Sequence, residues 1–167
     1  MSFTSKLADW LRPNTTVHAH CDIPCAIYDP HQAQIGALSV IRMNQLIEQL
    51  QMQGQAKEEH DRYIHQIARY TKVKEDHAEI VKHEVRVIWG DYFKPEHLEQ
   101  YPDLHSIVFN IMKLASKGRQ EINMQAAQDL LSEVNRFAEI FWATKGVPTK
   151  RQPSNQTAGG EFVVPAN

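Results

Sequence analysis

The chain is short of cysteine, of net charge and of long apolar runs, and each shortage closes off a class of protein. Its 167 residues carry 18 Lys and Arg against 20 Asp and Glu, a formal net charge of −2. So even a balance leaves no electrostatic footprint for nucleic acid or for an anionic membrane surface. No stretch approaches the roughly twenty apolar residues that span a bilayer, so no membrane partner is expected. The opening MSFTSKLADWLRPNTTVHA makes a poor secretory signal, because Asp9, Arg12 and Pro13 interrupt its one apolar patch. A reducing cytoplasm is therefore the expected setting. There, two lone thiols read as metal ligands or redox groups rather than as a structural staple.

Strand-like alternation is absent too, and so is any internal repeat. From His31 onward the pattern is helical. Val40, Met43, Ile47 and Leu50 recur at spacings of three and four, the period of one helical face. Asp29 and Pro30 suit the start of that helix, and Gly54 marks its end. A second segment runs from about Ala56 to Tyr92 with Val73, His77 and Ile80 on one face, and Gly90 and Pro95 close it. Leu104, Ile107, Ile111 and Leu114 form a third stripe; Leu130, Val134, Phe137 and Phe141 form a fourth, ending near Lys145-Gly146. Four amphipathic helices with short connections predict an all-α fold, an antiparallel four-helix bundle. The tail from Val147 has Pro, Gly, Ser and Asn without a period and is expected to be unstructured.

Chemistry concentrates in VHAHCDIPCAIYDP, residues 17–30, which holds both cysteines. Cys21 and Cys25 flank Asp22 and Pro24 outside any helical period, where burial as small hydrophobes is least expected. Cys-x3-Cys with no further cysteine lacks the usual second ligand pair of zinc, although a distant histidine would complete a tetrahedral site. A chain beginning at His20 offers a different set. Its free amine, the Cys21 amide and two thiolates would close small chelate rings around one ion. Two nitrogens and two sulfurs in a plane suit Ni(II) or Cu(II).

HCDIPCAIYDP, from His20 to Pro30, closely resembles the nickel hook of the nickel superoxide dismutase family, whose mature form begins at the histidine. VIWGDYFKPEHLEQYPDLH, from Val87 to His105, resembles the family's stretch between its second and third helices, and IFWATK, from Ile140 to Lys145, the end of its last helix. The resemblance implies dismutation of superoxide by a nickel ion cycling between Ni(II) and Ni(III), in a homohexamer of four-helix subunits. It implies nickel ligation by the His20 amine and imidazole, the Cys21 amide and thiolate, and the Cys25 thiolate. It places Tyr28 and Tyr92 around the open face of the metal as the catalytic tyrosines. Residues 1–19 become a propeptide removed by a maturation protease, 20–146 the enzyme, and 147–167 a flexible extension.

The chain departs from the family pattern at three positions. Gly36 stands where the best-known members have a glutamate that orients the axial imidazole, and His77 where they have the arginine supporting it. A glycine offers no side-chain hydrogen bond, so the surroundings of His20 must differ. His77 would substitute directly or through water, or serve as a core histidine. Ala26 replaces a glycine and disfavours positive φ there. Two other functions would use the same thiols: nickel or copper storage or delivery, which has no use for Tyr28, and metal-free thiol redox chemistry.

Overall fold

The structure, a computed structural model, describes residues 26–52, 54 and 56–166. Five helices and a hairpin follow in order: α1 (His31–Gln49), α2 (Lys57–Val87), α3 (Pro95–Gln100), α4 (Leu104–Gln120), α5 (Met124–Thr144), β1 (Thr149–Pro153) and β2 (Glu161–Pro165). A wide π-type turn, Ile88–Tyr92, extends α2. The chain is mostly helical, as the periodicity predicts. The four long helices pack in a closed ring, α1 on α2, α2 on α4, α4 on α5 and α5 on α1. Among the described residues no helix is long and apolar enough to cross a membrane.

The predicted stripes form the centre of that ring. Val40, Leu104, Ile111, Leu130, Val134, Phe137 and Phe141 are fully buried. Each such side chain contributes about 1.5–3 kcal/mol by leaving water. Local chemistry sets the ends: Asp29 Oδ1 accepts the His31 N–H at 2.8 Å, and Asn123 Oδ1 caps α5 by accepting the Ala126 N–H at 2.9 Å.

The face of α2 differs from expectation by one register step. Lys74, Ala78, Val81 and Val85 are its buried residues, whereas Val73, His77 and Ile80 are half-buried. Beyond Lys74 that row carries small side chains, Ala78, Val81 and Val85, and α1 brings Gly36 against it. A Cβ on Gly36 would lie 2.7 Å from Val81 Cγ2 and 3.1 Å from the His77 carbonyl. Only a glycine lets the two backbones come this close.

The expectation of an unstructured tail is corrected. Thr149–Pro153 and Glu161–Pro165 pair antiparallel, with Arg151 opposite Val163. Phe162 and Val163 are buried, and Gly160 packs so tightly that a Cβ would meet Leu131 at 2.8 Å and Leu38 at 3.1 Å. Gln34, 1% exposed, holds both backbone groups of Val163: its amide donates to the carbonyl at 3.1 Å and its oxygen accepts the N–H at 2.7 Å. The hairpin was illegible because its buried apolar residues are few, Phe162 and Val163, and because the side chain that holds Val163, Gln34, lies 129 positions away.

Candidate active site

The described chain begins in an unusual conformation. Ala26 has φ +64°, the left-handed region that costs an L-residue about 1–2 kcal/mol. The alanine that was expected to disfavour positive φ adopts it nonetheless. Ile27 beyond it is exposed and Tyr28 is half-buried. Asp29 and Pro30 then start α1.

Tyr28 turns toward the far end of α2. Its ring lies 6.0 Å from that of Tyr92, centroid to centroid, with a tilt of 57°. Tyr92 ends the π-type turn, in which the Phe93 N–H reaches back five residues to the Ile88 carbonyl at 3.4 Å. One such wide turn re-aims every side chain after it. It brings the Tyr92 ring against Phe141 of α5, 4.8 Å away, and against Phe93 and His97, at 5.2 and 5.7 Å. Two tyrosines 64 positions apart are thus brought together where the chain emerges from the predicted hook.

The hydroxyl of Tyr92 has a fixed role. It lies 2.9 Å from Thr144 Oγ1, and Thr144 Oγ1 lies 2.7 Å from the Phe141 carbonyl. A carbonyl only accepts, so the single threonine proton points to Phe141. Tyr92 therefore donates to Thr144, which leaves its own lone pairs able to accept. Lys145, next in the chain, sets its ammonium 5.4 Å from the Tyr92 centroid and 4.8 Å from that of Phe141. Ring faces attract a cation at this range, and the C-terminal end of α5 favours one there. Thr144 and Lys145 lie within the IFWATK block, whose likeness carried no chemical role; the TK pair gave no signal until the fold placed it beside Tyr92.

His20, Cys21 and Cys25, with Asp22 and Pro24, lie outside the described residues. Among the described residues no three His, Cys, Asp or Glu side chains gather as a metal site. His77 Nδ1 lies 2.8 Å from the Val73 carbonyl; the carbonyl only accepts, so Nδ1 donates, and among the described residues Nε2 has no hydrogen-bond partner. The same residue's carbonyl abuts Gly36, so two of the three departures from the family pattern lie side by side across α1 and α2.

A family model, nickel-containing superoxide dismutase, matches residues 15–145. The chain belongs to the nickel-containing superoxide dismutase family. Membership makes it a nickel-dependent oxidoreductase that acts on superoxide. The superoxide dismutase [Ni] of Streptomyces coelicolor is 40% identical over 133 residues, 80% of this chain and 93% of that one. Two solved structures of nickel superoxide dismutase variants align over 99% of their own chains. In one the first residue, a histidine, is replaced by alanine (TM-score 0.60, 35% identity, 71% of this chain covered). In the other the ninth, a tyrosine, is replaced by phenylalanine (TM-score 0.65, 36% identity, 76% covered). The hairpin lies beyond the residues that the family model matches.

Proposed function

We propose that this nickel superoxide dismutase becomes active when the chain is cut between Ala19 and His20. The new amine, the Cys21 amide and the two thiolates then hold nickel, with the His20 imidazole as a further nitrogen ligand. The observation that carries the reading is the meeting of Tyr28 and Tyr92 where the chain leaves the hook. The interval between the solved variants' first-residue histidine and ninth-residue tyrosine, which equals that from His20 to Tyr28, supports the new N-terminus. Nitrogen and thiolate donors in this number fit nickel better than they fit a hard cation. Bound nickel supplies the one-electron couple, Ni(II) and Ni(III).

The chain's own residues handle charge and protons. Two superoxide anions and two protons become one oxygen and one hydrogen peroxide, so the site draws in an anion and releases a neutral, protonated product. Lys145 contributes the attracting charge. Tyr92, its proton committed to Thr144, accepts a hydrogen bond from water or peroxide and holds the protonated species in preference to the bare anion. Tyr28 closes the other side and limits the site to small molecules. Asp22 organises the backbone amides of the hook.

The reading extends to assembly and setting: the ring of four helices is an antiparallel four-helix bundle, the subunits form a homohexamer, and a cytoplasmic protease removes residues 1–19. The test compares a chain starting at His20 with one carrying a single extra alanine before it, both loaded with nickel. An amine with an ordinary pKa of about 7.7–8.0 gives up its proton to a metal far more readily than a peptide nitrogen does. The shorter chain is expected to dismutate superoxide and the longer one to lose most of that activity. Equal activity from both would sink the amine-ligand mechanism.

A further inference from the structure

His97 lies almost parallel to the Tyr92 ring, centroids 5.7 Å apart and planes within 20°. Its own position is fixed by the backbone: the Lys94 N–H donates to His97 Nδ1 at 3.2 Å. An amide can only donate, so Nδ1 carries no proton and the neutral ring holds its hydrogen on Nε2. That bond satisfies one of the orphan donors at the start of α3. Phe93 packs edge-on against both rings, 5.2 Å from Tyr92 and 5.8 Å from the imidazole. The imidazole is thus a shelf, pinned at one nitrogen, against which Tyr92 lies.

We infer that neutral His97 is a positioning residue for Tyr92, and that protonating it lets the tyrosine leave its place. This rests on the reading of Tyr92 as a site residue. Histidine is the side chain whose charge ordinarily changes between about pH 5 and 8. A proton on Nδ1 sets donor against donor at the Lys94 amide, so the ring must turn away, and the flat stack turns with it. Lys145 sits over the Tyr92 ring from α5, and Lys94 precedes the helix; Asp91 in the π-type turn and Glu96 and Glu99 on α3 are the acidic groups on these elements, all exposed. Tyr92 and, beyond it, Tyr28 are further titratable groups at this cluster among the described residues.

The experiment follows Tyr92 directly. The full chain, with ring-13C tyrosine, gives five tyrosine signals, and Tyr92→Phe assigns the one that matters. In the parent chain the Tyr92 signal is expected to move in a single step as acid protonates His97, and turnover of the nickel-loaded, processed enzyme to fall several-fold across the same step. His97→Gln retains an acceptor for the Lys94 N–H but has neither a ring nor a titration. It is expected to abolish the step in the Tyr92 signal, flatten the acid limb of the activity profile, and lower turnover at pH 8. His97→Phe, which restores a ring, should recover much of the turnover at pH 8. A parent Tyr92 signal that does not move, or one that steps identically in His97→Gln, overturns the inference. Should His97→Gln fail to fold, the parent titration and His97→Phe decide it. If Tyr92→Phe turns over as the parent does, the reading of Tyr92 falls instead, while the signal still judges the link to His97.

Discussion

Tyr92 gives its phenolic proton to Thr144, and Thr144 gives its own to the carbonyl of Phe141. Sequence neighbours on α5 thereby dictate the hydrogen-bonding sense of a tyrosine delivered from the end of α2. Thr144→Val keeps the shape and removes the acceptor, so the Tyr92 hydroxyl becomes free to rotate. A hydrogen bond of about 1 kcal/mol corresponds to roughly fivefold in rate. Turnover of the nickel-loaded enzyme is expected to fall by about that factor, and Thr144→Ser to restore it. A Thr144→Val enzyme at parental rate would separate this chain of bonds from the chemistry.

Lys145 makes a prediction about salt. An exposed cation beside the site raises the arrival rate of a small anion, and ionic strength screens that gain. Lys145→Gln should lower the bimolecular rate about two- to tenfold in dilute buffer, with a smaller loss near 1 M salt. Lys145→Arg should keep most of both. Rates compared across a salt series decide it; a loss that does not depend on salt would point to packing against Phe141 instead.

Much of this fold was legible because helical periodicity is local. The stripes around Leu104 and Leu130 predicted α4 and α5 directly, and the second segment from Ala56 to Tyr92 matched α2 with its π-type turn. What was not legible depends on partners far away in sequence. Which row of α2 is buried follows from the approach of Gly36, and the hairpin follows from Gln34 waiting on α1. Short α3 gave no stripe because none of its residues is buried. Tyr28 and Tyr92 were found through likeness to a family, and the structure adds their contact. Thr144, Lys145 and His97 needed the fold, since threonine, lysine and histidine at these places have no pattern of their own.

Gln34 tests whether the hairpin is part of the folded unit. Gln34→Leu would leave the N–H and carbonyl of buried Val163 without partners, at about 1–3 kcal/mol for such a loss. At about 2–4 °C per kcal/mol for a chain of this size, that corresponds to a fall in Tm of roughly 2–12 °C. Thermal unfolding monitored by circular dichroism reads it. A variant melting with the parent would mean that the tail adds nothing to stability.

His77 is expected to act on the metal through its free nitrogen. With Nδ1 committed to the Val73 carbonyl, Nε2 is left to accept a hydrogen bond, the service an imidazole ligand wants from its surroundings. His77→Gln should fold normally and yet turn over about ten- to a hundredfold more slowly or release nickel more readily. Unaltered nickel retention and turnover in a stable variant would assign His77 to helix packing alone.

Gly36 carries the last prediction, because it explains why a glutamate is missing there. Any side chain at this position starts with a Cβ 2.7 Å from Val81 Cγ2 and 3.1 Å from the His77 carbonyl. The valine methyl can yield only by forcing its rotamer, since Val81 is itself fully buried, and the carbonyl belongs to α2. Overpacking of this kind costs about 1–3 kcal/mol. Gly36→Ala should therefore lower stability despite the better helix propensity of alanine, which alone would give about 1 kcal/mol in its favour. Val81→Ala removes the obstructing methyl and leaves a small cavity of its own. Combined with Gly36→Ala it should lose less than the sum of the two single changes, the signature of residues in contact. Denaturant melts of the four proteins close the cycle. Strict additivity would show that α1 and α2 do not meet at Gly36, and the absence of glutamate would need another cause.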